Sequence, residues 1–388
     1  MKSQHYIPRK ISQILMRSKK SILLLGPRQT GKSTLMANFN PTISINLARE
    51  STYLAFASNA AELEERLIKL KQGTILIDEV QRLPSLLNTV QVLMDDYPHQ
   101  FRFLLTGSSA RKLKKGKANL LPGRIHAFHL GPLTCEELNF KLDIKSALAF
   151  GTLPGILTEV SEENKRLTLE SYAAIYLKEE IQSEALTKNI EGFSRFIYVI
   201  AAETTHFLDF SKFSSEAMIP RQSAVRYFEI LEDTLIIKRC EPFSKSQRKR
   251  LIQHPRFFLF DVGVLNGLMK NFTVSSDRIG MLFEHFIFNQ LSEFAISHNE
   301  NIRLSSYRTE HGVEVDFIME RKNEITAIEV KASKNIAERD LRGLKNFRQY
   351  LGKAVRSVVL YMGEHPKVID HIEILPWKDF FKEMSASA

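Results

Sequence analysis

The stretch GPRQTGKST occupies residues 26–34 and directly follows the apolar run SILLL. It fits the pattern G-x-x-x-x-G-K-[ST], whose fixed positions are filled by Gly26, Gly31, Lys32 and Ser33. Glycines there let successive backbone N–H groups face a phosphate chain, while the lysine reaches the terminal phosphates and the hydroxyl reaches Mg²⁺. The stretch predicts a site for ATP and Mg²⁺. The alternative is a glycine turn beside an unrelated lysine.

The flanking sequence is that of a strand, a loop and a helix. Residues 22–25 are apolar enough for a buried strand, and residues 33–37 open a helix that Asn40-Pro41 ends. The residues expected to surround the nucleotide are Gly26, Pro27, Arg28, Gln29, Thr30, Gly31, Lys32, Ser33 and Thr34.

Two further apolar strands are predicted to end in polar site residues. Residues 73–79 run into Asp78, expected to hold Mg²⁺ through its water shell, and Glu79, expected to polarise the attacking water. Residues 101–105 run into Thr106, whose hydroxyl is expected to sense the γ-phosphate. Open α/β sheets bind ligands at the carboxyl ends of their strands, so the three strand ends predict one ATP-hydrolysing site.

Composition narrows the class of protein. A chain of 388 residues with 44% hydrophobic and 25% charged residues is expected to form two or three globular domains. No apolar run approaches the roughly 20 residues of a membrane helix. The first residues lack the pattern of a secretory signal, and two distant cysteines give no disulfide or zinc framework, so a cytoplasmic location is expected. The net charge of +10 leaves a nucleic-acid partner open.

Four stretches, GPRQTGKST, LIDEVQRLP, LLTGSSARKL and LPGRIHAFHLGPLTCEEL, resemble AAA+-type P-loop ATPases of bacteria and archaea. These relatives carry a C-terminal domain of unknown function with a PD-(D/E)xK nuclease-like fold. The resemblance implies that Arg124 is a finger reaching the γ-phosphate of a neighbouring subunit, which requires a homo-oligomer. The alternative is that Arg124 is a fold-stabilising or solvent-exposed charge. The resemblance also implies that Arg28 touches phosphate.

The middle of the chain predicts helices. Residues 133–190 read as a helical lid that is interrupted at 151–155 and continues as a helix over 171–180. Residues 193–239 read as helix, turn, helix and strand, with the strand at 235–239, which is the order of a winged helix. Its second helix would enter a DNA groove led by Arg221, Gln222, Ser223 and Arg226. The alternative is a winged helix that contacts protein. The basic run 245–250 is either a solvated loop or a phosphate clamp.

The last third carries a second constellation of charges. Glu284 lies on an apolar helix, Asp316 lies in a strand of alternating apolar residues, and Glu329 and Lys331 share one face of the next strand. The three acids and the lysine resemble a PD-(D/E)xK site, which implies Mg²⁺ or Mn²⁺ held by the acids and a lysine acting at the phosphate. The alternatives are a surface ion pair and an acid that ends a strand.

The predicted fold class is α/β. A P-loop AAA+-type ATPase domain with a helical lid (1–185) precedes a winged helix (186–250) and a small restriction-endonuclease-like domain (251–388). The predicted function is ATP hydrolysis coupled to remodelling, translocation or processing of DNA, with metal-dependent nuclease activity left open. The alternative is an ATP-driven switch whose C-terminal modules bind a protein partner.

Replacing Lys32 by alanine is expected to weaken nucleotide binding or turnover sharply, because no other group supplies a cation between the β- and γ-phosphates. The measurement is ATP turnover by the purified variant. Unchanged turnover would contradict the assignment of residues 26–34.

Overall fold

The computed structural model describes residues 6–108, 121–176, 189–243, 254–352 and 355–388. Its first part is a five-stranded, fully parallel sheet in the order β2-β3-β4-β1-β5. The strands are β1 (Ser21–Leu25), β2 (Ile43–Asn46), β3 (Gly73–Asp78), β4 (Phe101–Gly107) and β5 (Ile125–His129). The expected parallel α/β architecture is confirmed, and the strand that bears the phosphate-binding stretch lies inside the sheet, between β4 and β5.

Both faces of this sheet are buried. Alternate residues of β1 point to opposite faces, so Leu23 and Leu25 join one hydrophobic cluster while Ile22 and Leu24 join another. Each such side chain contributes roughly 1.5–3 kcal/mol by leaving water. The covering helices are α1 (Ser12–Arg17), α2 (Lys32–Ala37), α3 (Glu50–Ser58), α4 (Glu62–Leu67) and α5 (Leu86–Asp96).

A helical segment follows the first sheet. Its helices are α6 (Ile144–Phe150), α7 (Pro154–Thr158), α8 (Glu162–Ser171), α9 (Ile190–Ala202), α10 (Phe210–Glu216) and α11 (Arg221–Asp233). The break predicted at 151–155 begins at the right residue but is two residues too long at its C-terminal end, because Pro154 is the first residue of α7 and fits there without a backbone N–H. The helix predicted over 171–180 continues only as a π-helical turn at Tyr172–Tyr176, and the remainder lies outside the described residues.

The last part is an eight-stranded mixed sheet in the order β12-β13-β11-β10-β9-β8-β6-β7. Its strands are β6 (Ile237–Pro242), β7 (Arg256–Leu259), β8 (Ile302–Arg308), β9 (Glu314–Arg321), β10 (Glu324–Lys331), β11 (Arg356–Tyr361), β12 (Lys367–Ile369) and β13 (Ile372–Pro376). The accompanying helices are α12 (Val262–Met269), α13 (Ile279–Ser297), α14 (Arg342–Leu351) and α15 (Trp377–Ala386).

The helical segment and the large sheet share one hydrophobic core. Phe257 of β7 packs edge-on against Phe213 and Phe228, both at 5.6 Å between ring centroids. Its neighbour Phe258 faces the other way and stacks on Phe288 of α13 at 3.9 Å. Successive residues of a strand point to opposite faces, so β7 joins both sets of helices.

The strand of the predicted winged helix belongs to this large sheet. β6 pairs with β7 and β8, and it spans 237–242 instead of the predicted 235–239. The helix, helix, strand order is therefore present, but a separate winged-helix domain is not confirmed. The domain limits at 185 and 250 stay predictions.

Both cysteines lie in the interior, Cys135 and Cys240 each being buried and unpaired. Among the described residues, the helices include none with the length and apolar content needed to cross a bilayer.

Replacing Phe257 by alanine is expected to lower the free energy of unfolding by about 3–5 kcal/mol, because the ring is lost from a core that cannot collapse around it. If the helical segment and the large sheet share this core, one cooperative denaturant transition should shift as a whole. The control is Val160→Ala, since Val160 is 92% exposed. Two separate transitions, only one of them shifted, would contradict a shared core.

Candidate functional site

The phosphate-binding stretch depends on two of its glycines. A Cβ atom on Gly26 would lie 2.0 Å from the carbonyl oxygen of Leu130, so only glycine permits this backbone approach. Gly31 has a φ of +90° at the start of α2, a conformation that side chains disfavour. Gln29 also has a positive φ, 62°, which is uncommon for a residue other than glycine. The loop is thus held in a conformation that turns its backbone toward the space above the sheet.

Lys32 already points into this loop. Its side chain is buried, and Nζ donates hydrogen bonds of 2.8 Å to the carbonyl oxygens of Gly26 and Pro27. The Thr30 hydroxyl donates to the same Pro27 carbonyl at 2.9 Å and tightens the turn. A buried ammonium inside a glycine-permitted cradle fits the phosphates of ATP. The remaining loop residues at this edge, Arg28, Gln29, Ser33 and Thr34, are exposed.

The predicted magnesium residues meet at the ends of β3 and β4. The Ser33 hydroxyl donates to Oδ1 of Asp78 at 2.7 Å. The Thr106 hydroxyl donates to the same carboxylate oxygen. A hydroxyl and a carboxylate in contact supply the hard oxygen ligands that Mg²⁺ prefers. The structure thus brings Ser33, Asp78 and Thr106 together as the sequence predicted.

Glu79 follows β3 in the left-handed region, with φ 61° and ψ 43°. Its backbone N–H donates to the Thr106 hydroxyl at 3.2 Å. The side-chain amide of Gln81 donates to the Glu79 carboxylate and, at 3.0 Å, to the Ser108 hydroxyl. Sequence reasoning missed Gln81, although it stands only two residues after Glu79.

Arg9 is the second residue that sequence reasoning missed. Its buried guanidinium donates to the carbonyl oxygens of Thr30 at 2.7 Å and Gly131 at 2.9 Å, and its Nε donates to Glu137 at 3.0 Å. One planar group therefore fixes the phosphate-binding loop to the segment that follows β5. No sequence motif predicts this role of Arg9, because its carboxylate partner lies 128 residues away in sequence.

Arg124 lies at the other edge of the sheet. The adjacent Ile125 pairs with Ser21, the first residue of β1, whereas the phosphate-binding loop follows the last residue, Leu25. Four strand residues separate those edges by about 13 Å. Nε and Nη2 of Arg124 donate to the two carboxylate oxygens of Asp95, at 2.8 and 2.9 Å. Arg124 therefore does not serve its own subunit's site, and action on a neighbouring subunit stays a prediction.

The residues expected to meet DNA lie at the beginning of α11. Arg221 and Gln222 are exposed, as is Arg226 one turn later, while Ser223 is partly buried. The basic run 245–250 lies outside the described residues.

The C-terminal charges predicted from the sequence also come together. Lys331 Nζ donates to Glu329 at 2.6 Å, and the backbone N–H of Val330 donates to Asp316 at 2.8 Å. Burial, followed by the negative charge of Asp316, raises the pKa of Glu284 to about 7 and that of Glu329 to about 8. We call Glu284, Asp316, Glu329 and Lys331 the acid cluster.

Arg256, a third missed residue, enters the acid cluster from β7. Its guanidinium forms an ion pair with Glu284. Within the described ranges, no group of three histidine, cysteine or acidic residues has an arrangement that would hold a metal ion. The metal site predicted at Glu284, Asp316 and Glu329 is therefore not shown. A signal was present in the sequence HPRFFLF, where an arginine begins a strand of aromatic residues.

Three family models match successive parts of the chain. Residues 18–139 are similar to a family described as AAA domain. Residues 141–275 and 279–380 are similar to two families described as domains of unknown function, DUF8612 and DUF4143. The first match supports an AAA-type ATPase that uses ATP, usually with Mg²⁺. The other two leave the activity of the remaining chain open.

Two curated relatives extend along most of the chain. They are the uncharacterized proteins Mb2031c of Mycobacterium bovis and Rv2008c of Mycobacterium tuberculosis, each 25% identical over 352 residues. The aligned region covers 89% of this chain and 77% of each relative.

Likeness to solved structures is distant. A STAND-class signal transduction ATPase with a tetratricopeptide repeat sensor, from Pyrococcus horikoshii, is 14% identical with a TM-score of 0.28, and the match covers 74% of this chain and 45% of that chain. A DNA polymerase III gamma subunit-related protein from Thermotoga maritima is 12% identical with a TM-score of 0.25, with 58% and 97% covered.

Replacing Arg9 by lysine is expected to raise the dissociation constant for a fluorescent ATP analogue by about 10-fold or more, equivalent to about 1.4 kcal/mol. A single ammonium cannot hold Thr30, Gly131 and Glu137 at once, so the loop loses its anchor. The matched control is Arg102→Lys, since Arg102 is partly buried and donates to the Leu15 carbonyl near the opposite sheet edge. Thermal unfolding without nucleotide separates the two effects. A destabilised Arg9→Lys variant with normal affinity while folded would make Arg9 only structural.

Proposed function

We propose that this protein hydrolyses ATP at the edge of its five-stranded sheet and uses the hydrolysis cycle to act on DNA. The observation that carries the first half of the proposal is the meeting of Lys32, Ser33, Asp78, Glu79 and Thr106 at the carboxyl ends of β1, β3 and β4. These groups supply a cation for phosphate, oxygen ligands for Mg²⁺ and a carboxylate for water.

Each residue has a separate task in this proposal. Lys32 exchanges its loop carbonyls for phosphate oxygens, and Ser33 and Asp78 hold Mg²⁺, which neutralises charge on the phosphates when bound. Glu79 accepts a hydrogen bond from the attacking water and so orients it. The Glu79 carboxylate also accepts from the Gln81 amide through Oε2, which fixes its orientation.

A short contact route leads from the ATP site toward the C-terminal half. The Tyr172 hydroxyl donates to the Arg28 carbonyl at 3.4 Å, and the Tyr172 ring lies 6.2 Å from that of Phe260. The adjacent Asp261 accepts from the Thr152 N–H at 2.8 Å. Asp261 is fully buried, and this burial raises its pKa to about 6. A change at the loop would therefore reach α12 through packed groups, which is how an ATP cycle would move the later segments.

DNA as the substrate is supported by charge and exposure. The chain carries a net charge of +10, and Arg221, Gln222 and Arg226 face solvent on one helix. Phosphate contacts supply most non-specific affinity for DNA, and exposed arginines on a helix provide them.

The second candidate function is an ATP-driven switch that holds a protein partner. It is favoured by apolar exposure on the same helical segment, where Tyr198 is 52% and Met218 is 71% exposed. Exposed apolar side chains beside polar ones suit a protein surface better than a phosphate backbone. The homo-oligomer implied by Arg124 belongs to either candidate and would require the pair with Asp95 to open.

We also propose a nuclease step, in addition to the ATP-dependent action on DNA. Glu284, Asp316 and Glu329 would hold Mg²⁺ or Mn²⁺, and Lys331 would act at the phosphate or the attacking water. Its support is the convergence of these four groups in the fold. The ion pair between Arg256 and Glu284 would have to open first.

The test is the ATP turnover rate with and without single-stranded, duplex and forked DNA. We expect stimulation, and Arg221→Gln should raise the DNA concentration for half-maximal stimulation, because one phosphate contact is lost. The matched control is Arg66→Gln, an exposed arginine ion-paired on a helix of the first sheet. Glu79→Gln should bind ATP without turning it over and so measures background activity. Turnover that ignores all three DNA forms would favour the protein switch.

A further inference from the structure

The guanidinium of Arg256 lies where a cation would serve the acid cluster. Nη2 pairs with Glu284, Nη1 donates to the backbone carbonyl of Asp316 at 3.4 Å, and Nε donates to the carbonyl of Thr205 at 2.7 Å. The residue is only 7% exposed. We propose that Arg256 competes with a divalent cation for the acid cluster, so that metal binds strongly only when the Arg256–Glu284 pair opens. This inference rests on the metal site proposed above.

Aromatic packing holds the arginine in this place. Its guanidinium carbon lies 5.3 Å from the ring centroid of Phe258 and 5.9 Å from that of Phe317. Cations are attracted to the faces of such rings, and the attraction grows when water is excluded. Arg256 is therefore a fixed part of the cluster in the present conformation.

The charges of the cluster explain why the two cations exclude each other. When all three are ionised, Glu284, Asp316 and Glu329 carry three negative charges, and Arg256 and Lys331 carry two positive ones. A divalent ion in place of Arg256 would balance the three carboxylates together with Lys331. The ion and Arg256 together would leave surplus positive charge in a buried space, where like charges repel strongly.

One carboxylate oxygen of the acid cluster supports the proposal that a cation binds there. Glu329 Oε2 is buried and has no hydrogen-bond partner among the described residues, although Oε1 accepts from Lys331. A buried acceptor without a partner is costly, and a cation or a water bound there would remove that cost.

The arginine also connects the acid cluster to the helical segment. Thr205, which accepts from Arg256, lies in the turn after α9 and donates its N–H to Phe257 at 2.9 Å. Opening the Arg256–Glu284 pair therefore involves the turn that joins α9 to α10. A displacement of those helices would free the Glu284 carboxylate without a change in α13, on which it lies, or in the strands of Asp316 and Glu329.

The test is Mn²⁺ binding by the full chain in the absence of nucleotide. Binding is measured as the loss of the electron paramagnetic resonance signal of the free ion. Arg256→Met keeps much of the volume and removes the charge, and we expect it to bind Mn²⁺ at least about 10-fold more tightly than the wild type. Adding Asp316→Asn to Arg256→Met should abolish the gain. The matched control is Arg321→Met, because Arg321 is a partly buried arginine that likewise pairs with a glutamate, Glu300, and lies 5.4 Å from the ring of Phe294. It should leave Mn²⁺ affinity unchanged.

Three outcomes decide between the proposals. Equal Mn²⁺ affinity in the wild type and Arg256→Met would overturn the competition and leave the metal site intact. No Mn²⁺ binding in either protein would overturn both. If Arg256→Met fails to fold by near-ultraviolet circular dichroism, Arg256→Lys replaces it, because a lysine cannot reach Thr205 and Glu284 together and should raise affinity in part. An unchanged affinity in a folded Arg256→Lys protein would count against the inference. ATP turnover, measured separately, reports on the first sheet alone.

Discussion

The buried guanidinium of Arg9 is the constraint on which the ATP site depends. The phosphate-binding loop contains two residues with positive φ, Gln29 and Gly31, and a glycine, Gly26, that lies against Leu130. Arg9 stabilises this loop from outside by donating hydrogen bonds to the carbonyl oxygens of Thr30 and Gly131. An unpaired buried charge would be expensive, but Glu137 neutralises it and is itself buried. The loop is thus fixed by one satisfied ion pair.

The segment after β5, to which Arg9 donates hydrogen bonds, also contacts helix α13. The side chain of Gln290 accepts from the N–H of Cys135 at 2.6 Å and donates to the carbonyl of Leu133 at 3.3 Å. Glu284 lies six residues earlier on the same helix, about 9 Å along its axis. A rigid helix therefore joins the neighbourhood of the ATP site to the acid cluster. Any shift of the segment after β5 has to be shared by α13, because the amide of Gln290 would otherwise be left unpaired in the interior.

Local sequence patterns were sufficient to predict the first sheet and its site residues. They were not sufficient to predict the strand pairing of the large sheet or the long-range partners of the buried arginines. The loop at 26–34 and the strands ending at Asp78 and Thr106 follow from short motifs and from the rule that parallel strands gather their carboxyl ends at one edge. The partners of Arg9 and Arg256 could not be predicted, since they are distant in sequence and are not neighbours in a pattern. A strand was predicted at 235–239, close to the observed 237–242, but its membership of the large sheet depends on pairing with β8, more than 60 residues later. Sequence periodicity does not carry such pairing information.

The two buried arginines differ in the charge around them, and this difference separates a fixed contact from an exchangeable one. Arg9 faces one carboxylate and backbone carbonyls, so the group is neutral overall and no incoming ion gains by replacing it. Arg256 faces Glu284 within a set of three carboxylates that Lys331 and Arg256 together do not neutralise. Burial, followed by the negative charge of Asp316, raises the pKa of Glu284 and Glu329, and the surplus negative charge of the ionised cluster attracts any further cation. The first arginine therefore stabilises a single conformation of the ATP site, whereas the second holds a site whose electrostatics favour its own replacement.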